Sequence, residues 1–246
     1  VETPLPESVE PGRKGRGAVM GRQLYHATHI GILERSFKLH LEQSLKHSQM
    51  SCRRDDKQGF SMTELTLHTP QTAPEESQPL LGASQKAFGM IPNLHAVMAE
   101  APGLLEGYQK LHELFLASSF DDEEKTVVWQ TINVEHACHY CVPAHTGIAH
   151  SMKVDAAITE ALRNETPLAE PRLEALREFT LAMVRNRGNV SDDEVRAFFD
   201  AGYTQRQLLE IVLGLAQKVM SNYTNHLAET PVDEPFAKFA WTKSAS

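Results

Sequence analysis

Cys138 and Cys141, with His145 four residues further on, are the side chains whose types and spacing can do chemistry. They sit in the segment Asn133-Val134-Glu135-His136-Ala137-Cys138-His139-Tyr140-Cys141-Val142-Pro143-Ala144-His145-Thr146. On one helix at about 100° per residue, Cys141 falls about 60° and His145 about 20° from Cys138, so all three share a face. Residues three apart on a helix have Cα atoms about 5 to 5.5 Å apart, a span that a disulfide can bridge. Proline is tolerated only in the first turn of a helix, so Pro143 places the helix start near the cysteines. There the positive end of the helix dipole, together with His145 one turn on, should bring a thiol below the ordinary pKa of about 8.5. A thiolate at neutral pH can attack the oxygen of a peroxide, or a disulfide, and the second cysteine then resolves the product. Spacing alone leaves open which sulfur attacks.

Other uses of these residues compete with that reading. Structural zinc takes four ligands, and no second cysteine pair exists, so a metal site would need Cys138, Cys141, His145 and one further histidine. Glu135 is a candidate proton-relay carboxylate, set against the ordinary case of a solvated acid at a helix end. His136 and His139 read as flanking surface residues, and Cys52 as an incidental thiol in a polar segment. The polar run Ser221-Asn222-Tyr223-Thr224-Asn225-His226 reads first as structural, with Asn222 or His226 over the thiols as the alternative. Phe115 and Trp129 read as core. No Gly-rich phosphate loop, Ser-His-Asp set or dinucleotide fingerprint is present.

The elements that must position the thiols are helical. From about Leu81 the apolar residues recur at helical spacing and no strand-like alternation competes. Ser84 to Met98 holds one or two short helices, with Pro92 at a possible start. Leu104 to Phe115 forms the next. Asp121-Asp122-Glu123-Glu124 puts negative charge at the start of a helix running to about His136. Asp155 to Arg163 and Pro171 to Arg187 follow, the latter stopped by Gly188. Ser191 to Glu194 and Thr204 to Gln207 are capping boxes. The last helix is apolar on more than one stripe, which favours a central position or a subunit interface.

The chain has 246 residues and a net charge of −8, unevenly spread. Residues 1–60 carry 10 basic and 7 acidic side chains, leaving 14 and 25 for the remainder. Such a balance gives no long-range attraction to a phosphate backbone, which argues against nucleic-acid binding. No run approaches the roughly 18 apolar residues of a membrane span. Three cysteines are too few for a disulfide-stapled secreted scaffold, and the start lacks the pattern of a signal peptide, so the chain reads as soluble and cytoplasmic. Residues 1–80 lack a sustained apolar period and read as a poorly structured extension. Because the chain opens on Val1, residues before Met62 read as upstream translation of a protein that starts near that methionine. Residues 81–246 form the helical domain.

With Glu135, Cys138, Cys141 and His145 in place, the sequence resembles the carboxymuconolactone decarboxylase superfamily, in particular its alkylhydroperoxidase D-like branch. The resemblance spans roughly Ser84 to Phe236, including the stretch Asn222-Tyr223-Thr224-Asn225-His226 before Thr230-Pro231-Val232-Asp233. It implies a compact all-α domain assembled into homo-oligomers, trimers or hexamers, with the cysteines near a subunit interface. The implied activity is that of a peroxidase: a hydroperoxide substrate is reduced through a cysteine disulfide, without haem or metal. A dithiol or thioredoxin-like partner then restores the thiols. By the same resemblance Cys141 attacks the peroxide, Cys138 resolves, and His145 serves a proton relay. Better-known members carry a glutamate twelve residues before the first cysteine, where this chain has Thr126, and Glu135 is the carboxylate that could stand in. Two other functions remain open, a non-catalytic redox sensor or disulfide relay and a decarboxylase-like lyase.

Overall fold

Capping chemistry legible in the sequence sets several of the helix starts. Asp121 and Glu124, Ser191 and Glu194, and Thr204 and Gln207 each form a reciprocal box. In each, the first side chain accepts from the backbone of the third helical residue, whose own side chain returns to the cap. The computed structural model describes residues 65–243. Their helices are α1 (Gln78–Phe88), α2 (Asn93–Met98), α3 (Pro102–Leu116), α4 (Asp122–Glu135), α5 (Cys141–Ser151), α6 (Ala156–Arg163), α7 (Pro171–Arg185), α8 (Asp192–Asp200) and α9 (Gln205–Ala228). No strand occurs among the described residues, so the all-α expectation holds. None of these helices is long and apolar enough to cross a membrane.

Two boundaries differ from the sequence reading. The folded part reaches upstream of residue 81: Ala73 and Ser77 are buried, the Ser77 hydroxyl donates to the Ala99 carbonyl at 2.6 Å, and α1 opens at Gln78. Helix α7 ends at Arg185 rather than Arg187, because Arg187 already shares the left-handed conformation of Gly188 (φ 53° and 80°). The disordered extension, the start at Met62 and the incidental thiol Cys52 all concern residues that lie wholly or mainly outside the described ones.

Helix α4 is the hub, packed against α5, α6, α7 and α9, and α9 also lies along α2 and α3. One side of α4 closes an apolar core with α7 and α8, in which Phe179 stacks on Phe198 at 4.4 Å and Phe198 on Tyr203 at 4.6 Å. A second apolar cluster gathers Leu81, Leu94, Met98, Leu105 and Tyr108 from α1, α2 and α3 over the two cysteines. The segment after α9 folds back along α5. Tyr140, between the cysteines, donates to the Asp233 carboxylate, whose other oxygen accepts from the Asn93 backbone.

Candidate functional site

The turn that delivers the thiols is a helix termination followed at once by a helix start. After α4, the N–H of Ala137 bonds the Val134 carbonyl and that of Cys138 bonds Asn133, a Schellman closure with Ala137 at φ 53°. That left-handed position usually takes glycine, and alanine holds it at a cost of about 1 to 2 kcal/mol. Cys138 then acts as a cap. Its carbonyl accepts from Val142 N–H at 3.1 Å, and its sulfur from Cys141 N–H at 3.3 Å. The new helix begins at the cysteines, as Pro143 led the sequence reading to expect: Cys138 stands in the turn just before α5, Cys141 is its first residue, and both belong to the turn closed by the Val142 N–H on the Cys138 carbonyl.

From the opposite side α9 presents a polar stripe. The Asn225 amide donates to Cys141 Sγ at 3.2 Å and stands 4.0 Å from Cys138 Sγ, so one side chain spans both sulfurs. Two turns earlier on the same helix, Lys218 is fully buried and its Nζ donates to His145 Nε2 at 2.8 Å. No acidic side chain among the described residues pairs with its amine; burial lowers its pKa from the ordinary lysine value, and the charged groups that oppose this are the two cysteines. The ring of His145 lies 4.9 Å from that of Trp129. Burial, reinforced by Lys218 and His112, drives His145 far below the ordinary imidazole range, so it is a neutral acceptor.

The two thiols are made unequal. Burial works against a Cys141 thiolate, but the neighbouring Cys138 thiol, the charge of Lys218 and the polar side chains of α9, the Asn225 amide among them, outweigh it and bring its pKa below the ordinary value. Cys138 is pushed up, first by its hydrogen bond to Cys141, then by burial and by the neighbouring negative charge. The surroundings thus favour ionisation at Cys141 over Cys138. Both are free cysteines, and neither sulfur faces solvent, with Cys138 0% and Cys141 2% exposed. A reactant must part the apolar side chains above them.

A polar network fixes this geometry from behind. The Asn222 amide donates to Asn133 at 3.0 Å, Asn133 donates to Gln130 at 3.1 Å, and Gln130 reaches the Val142 carbonyl and the Thr146 hydroxyl, both at 3.1 Å. Gln217 links the Trp129 indole N–H at 2.8 Å to His112 at 2.9 Å. The four amides, Gln130, Asn133, Gln217 and Asn222, are buried and paired, as buried amides must be.

Of the residues singled out in the sequence, Cys138 and Cys141 meet at the Asn225 amide, and His145 stands further along, joined to the same helix through Lys218. Glu135 does not join them. Arg185 donates to both of its carboxylate oxygens, at 2.9 and 2.8 Å, and this bond holds its pKa below the usual carboxylate range. It lines a separate surface hollow of about 250 Å³ with Arg177 and Glu178. The turn at Ala137 separates Glu135 from the thiols. Thr126 is buried and donates to the Asp122 carbonyl, so no carboxylate takes the expected place. In the polar run of α9 it is Asn225 that meets the sulfurs, while Asn222 braces Asn133 and accepts from half-buried His136, and His226 is exposed. His139 donates to the Thr230 carbonyl. Phe115 and Trp129 are core residues. Lys218 and Asn225 went unnoticed as site residues. Their signal was present: Lys218, Ser221 and Asn225 recur at helical spacing inside an otherwise apolar helix, marking a buried polar stripe. Among the described residues no group of three His, Cys, Asp or Glu side chains is placed to hold a metal.

No protein-family profile and no curated protein matches the chain. Solved structures do. An uncharacterized peroxidase-related protein from Ralstonia eutropha JMP134, described as an alkylhydroperoxidase AhpD core, superposes with a TM-score of 0.64 at 16% identity, over 72% of this chain and 96% of its own. An uncharacterized peroxidase-related protein from Silicibacter sp. TM1040 gives 0.60 at 18% identity, over 74% and 97%. The debrominase Bmp8, in a complex with 2,3,4-tribromopyrrole, gives 0.59 at 17% identity, over 75% and 97%. The resemblance drawn from the cysteine motif holds at the level of the fold, which is that of the AhpD core.

Proposed function

We propose that the protein is a thiol-dependent peroxidase that reduces hydroperoxides through a Cys138–Cys141 dithiol and disulfide cycle. The observation that carries the reading is the pair of buried sulfurs spanned by the Asn225 amide, with surroundings that lower the pKa of Cys141 and raise that of Cys138. The Cys141 thiolate attacks the terminal oxygen of the peroxide. The S–O bond forms as the O–O bond breaks, sulfur gives up two electrons, and the rest of the substrate leaves as an alcohol once protonated. Cys138 then displaces the sulfenic hydroxyl, forming the disulfide and water. Asn225 Oδ1 has no hydrogen-bond partner among the described residues and belongs to the amide that meets the sulfurs, so a peroxide O–H has a waiting acceptor.

The apolar cover of the thiols favours organic hydroperoxides over hydrogen peroxide. Resetting the cycle takes a dithiol or thioredoxin-like reductant. The outer face of α9 carries Leu209 (66% exposed), Val212, Tyr223 and Leu227 (74% exposed), an apolar stripe that a second copy of the chain would cover in a trimer or hexamer. The debrominase among the structural neighbours favours a second reading, in which the same thiolate attacks the halogen of an activated aromatic C–X bond. Sulfur is again oxidised by two electrons, and the carbon keeps the bonding pair and takes a proton.

The test is a coupled assay with cumene hydroperoxide, hydrogen peroxide and a bromopyrrole, each with dithiothreitol and with thioredoxin. Wild-type turnover with a hydroperoxide, abolished in both Cys138→Ser and Cys141→Ser, is the expected result. Unchanged turnover in either variant overturns the dithiol cycle, and consumption of the bromopyrrole alone transfers it to the second reading.

A further inference from the structure

A lysine with no access to water and no carboxylate beside it is an unstable arrangement unless an anion lies close by. Removing an ammonium from water costs several kcal/mol even after relaxation, and only a near counter-charge repays it. Lys218 is 0% exposed, and it is fixed by His145 Nε2 at 2.8 Å. It shares a face of α9 with Ser221 and with Asn225, whose amide contacts Cys141 Sγ at 3.2 Å. The other titratable groups around it, among the described residues, are all shifted toward their neutral forms. His112 and His145 are kept unprotonated by burial, Tyr108 keeps its proton for the same reason, His95 behind it is also neutral, and half-buried His136 is lowered too. Cys138 holds its proton toward Cys141.

We propose that Lys218 is the ionic partner of the Cys141 thiolate and the source of the proton that the departing oxygen takes up, with His145 as the positioning residue that holds its ammonium. The proton-delivery half rests on the peroxidase reading above, whereas the ion pair does not. The charge balance supports the assignment. In the reduced state one thiolate faces one ammonium. When Cys141 attacks R–O–OH, the electron pair of the broken O–O bond leaves on RO⁻, and the negative charge departs from sulfur with it. The ammonium would then stand alone in the protein interior, so its proton passes to RO⁻ and yields ROH and a neutral amine. The later attack of Cys138 on the sulfenic acid releases hydroxide, which takes the Cys138 proton and leaves as water. The buried site is neutral before and after. It thereby does with a lysine what a relay carboxylate does elsewhere, consistent with Thr126 standing where one was expected and Glu135 held by Arg185.

The test uses the full chain and two readouts. The rate of alkylation of Cys141 by iodoacetamide, followed by peptide mapping against pH, gives the thiolate midpoint without any peroxide chemistry. Lys218→Met should raise that midpoint by at least one pH unit and slow single-turnover reduction of cumene hydroperoxide at pH 7 more than tenfold, and Lys218→Arg should restore part of both. An unchanged midpoint in a folded Lys218→Met protein overturns the ion pair. Should neither variant fold, the wild-type disulfide potential against pH decides. Two protons taken up per two electrons, at pH values where Cys141 already alkylates as a thiolate, are expected from thiol and lysine together, and one proton overturns the proposal. A wild-type protein that reduces no peroxide overturns the peroxidase reading and the proton delivery, while a shifted alkylation midpoint in Lys218→Met would still sustain the ion pair.

Discussion

The two faces of α4 are built on opposite principles. Against α7 and α8 it buries mainly rings and aliphatic chains, with Phe179 on Phe198 and Ile132 in the same apolar cluster. Against α5 and α9 it buries amides, an imidazole and an ammonium: Gln130, Asn133, Gln217, Asn222, His145 and Lys218. Apolar burial stabilises in proportion to area and tolerates imprecision, whereas each buried polar group costs stability unless a partner meets it in good geometry. The first face can hold the second in place. What the difference teaches is that the thiol pocket is not itself a source of stability. It is a costly arrangement positioned by a core next to it.

That contrast can be broken at either face, and the largest effect is expected in the core. Phe198→Ala should lower the unfolding free energy by about 3 to 5 kcal/mol through lost burial and a residual cavity, read by urea denaturation, while the pH midpoint for alkylating Cys141 in the folded fraction stays where it was. A shifted midpoint would mean that the two faces are not separable. Asn225→Ala should do the reverse. Losing one hydrogen bond to a charged sulfur is worth about 1.5 to 3 kcal/mol, which moves the alkylation midpoint up by one to two pH units, with a smaller change in urea midpoint. The smallest effect belongs to Glu135→Gln. Its ion pair with Arg185 is half open to solvent and contributes no more than about 1 kcal/mol, and peroxide turnover should stay within twofold of wild type. A loss of tenfold or more would return this carboxylate to the relay.

How much of this was legible in the sequence depends on the range of the interactions. Ser191 with Glu194, Thr204 with Gln207 and Pro92 ahead of α2 act within one helical turn, and each marks its element as read. The thiol pair was legible for the same reason, and so was the resemblance it carries. The tight turn that precedes the two thiols was not, because the Schellman closure at Ala137 uses a residue with no turn signature. Glu135 was misplaced because its partner, Arg185, lies 50 positions away on α7. Lys218 was hidden by its company. Amid Leu213, Leu215, Val219 and Met220 a single lysine reads as the wet edge of an apolar helix, and only the packing of α9 onto α5 turns it inward to His145.

Of all measurements, a stoichiometric titration with thiol counting and peptide mapping bears most directly on the dithiol cycle. Reduced protein is mixed with one equivalent of cumene hydroperoxide, denatured and alkylated. The account predicts that two titratable thiols disappear for each peroxide consumed and that a single cross-linked peptide joins Cys138 to Cys141. Peroxide consumed with both of these cysteines still alkylated, or with either sulfur over-oxidised and unpaired, would contradict it.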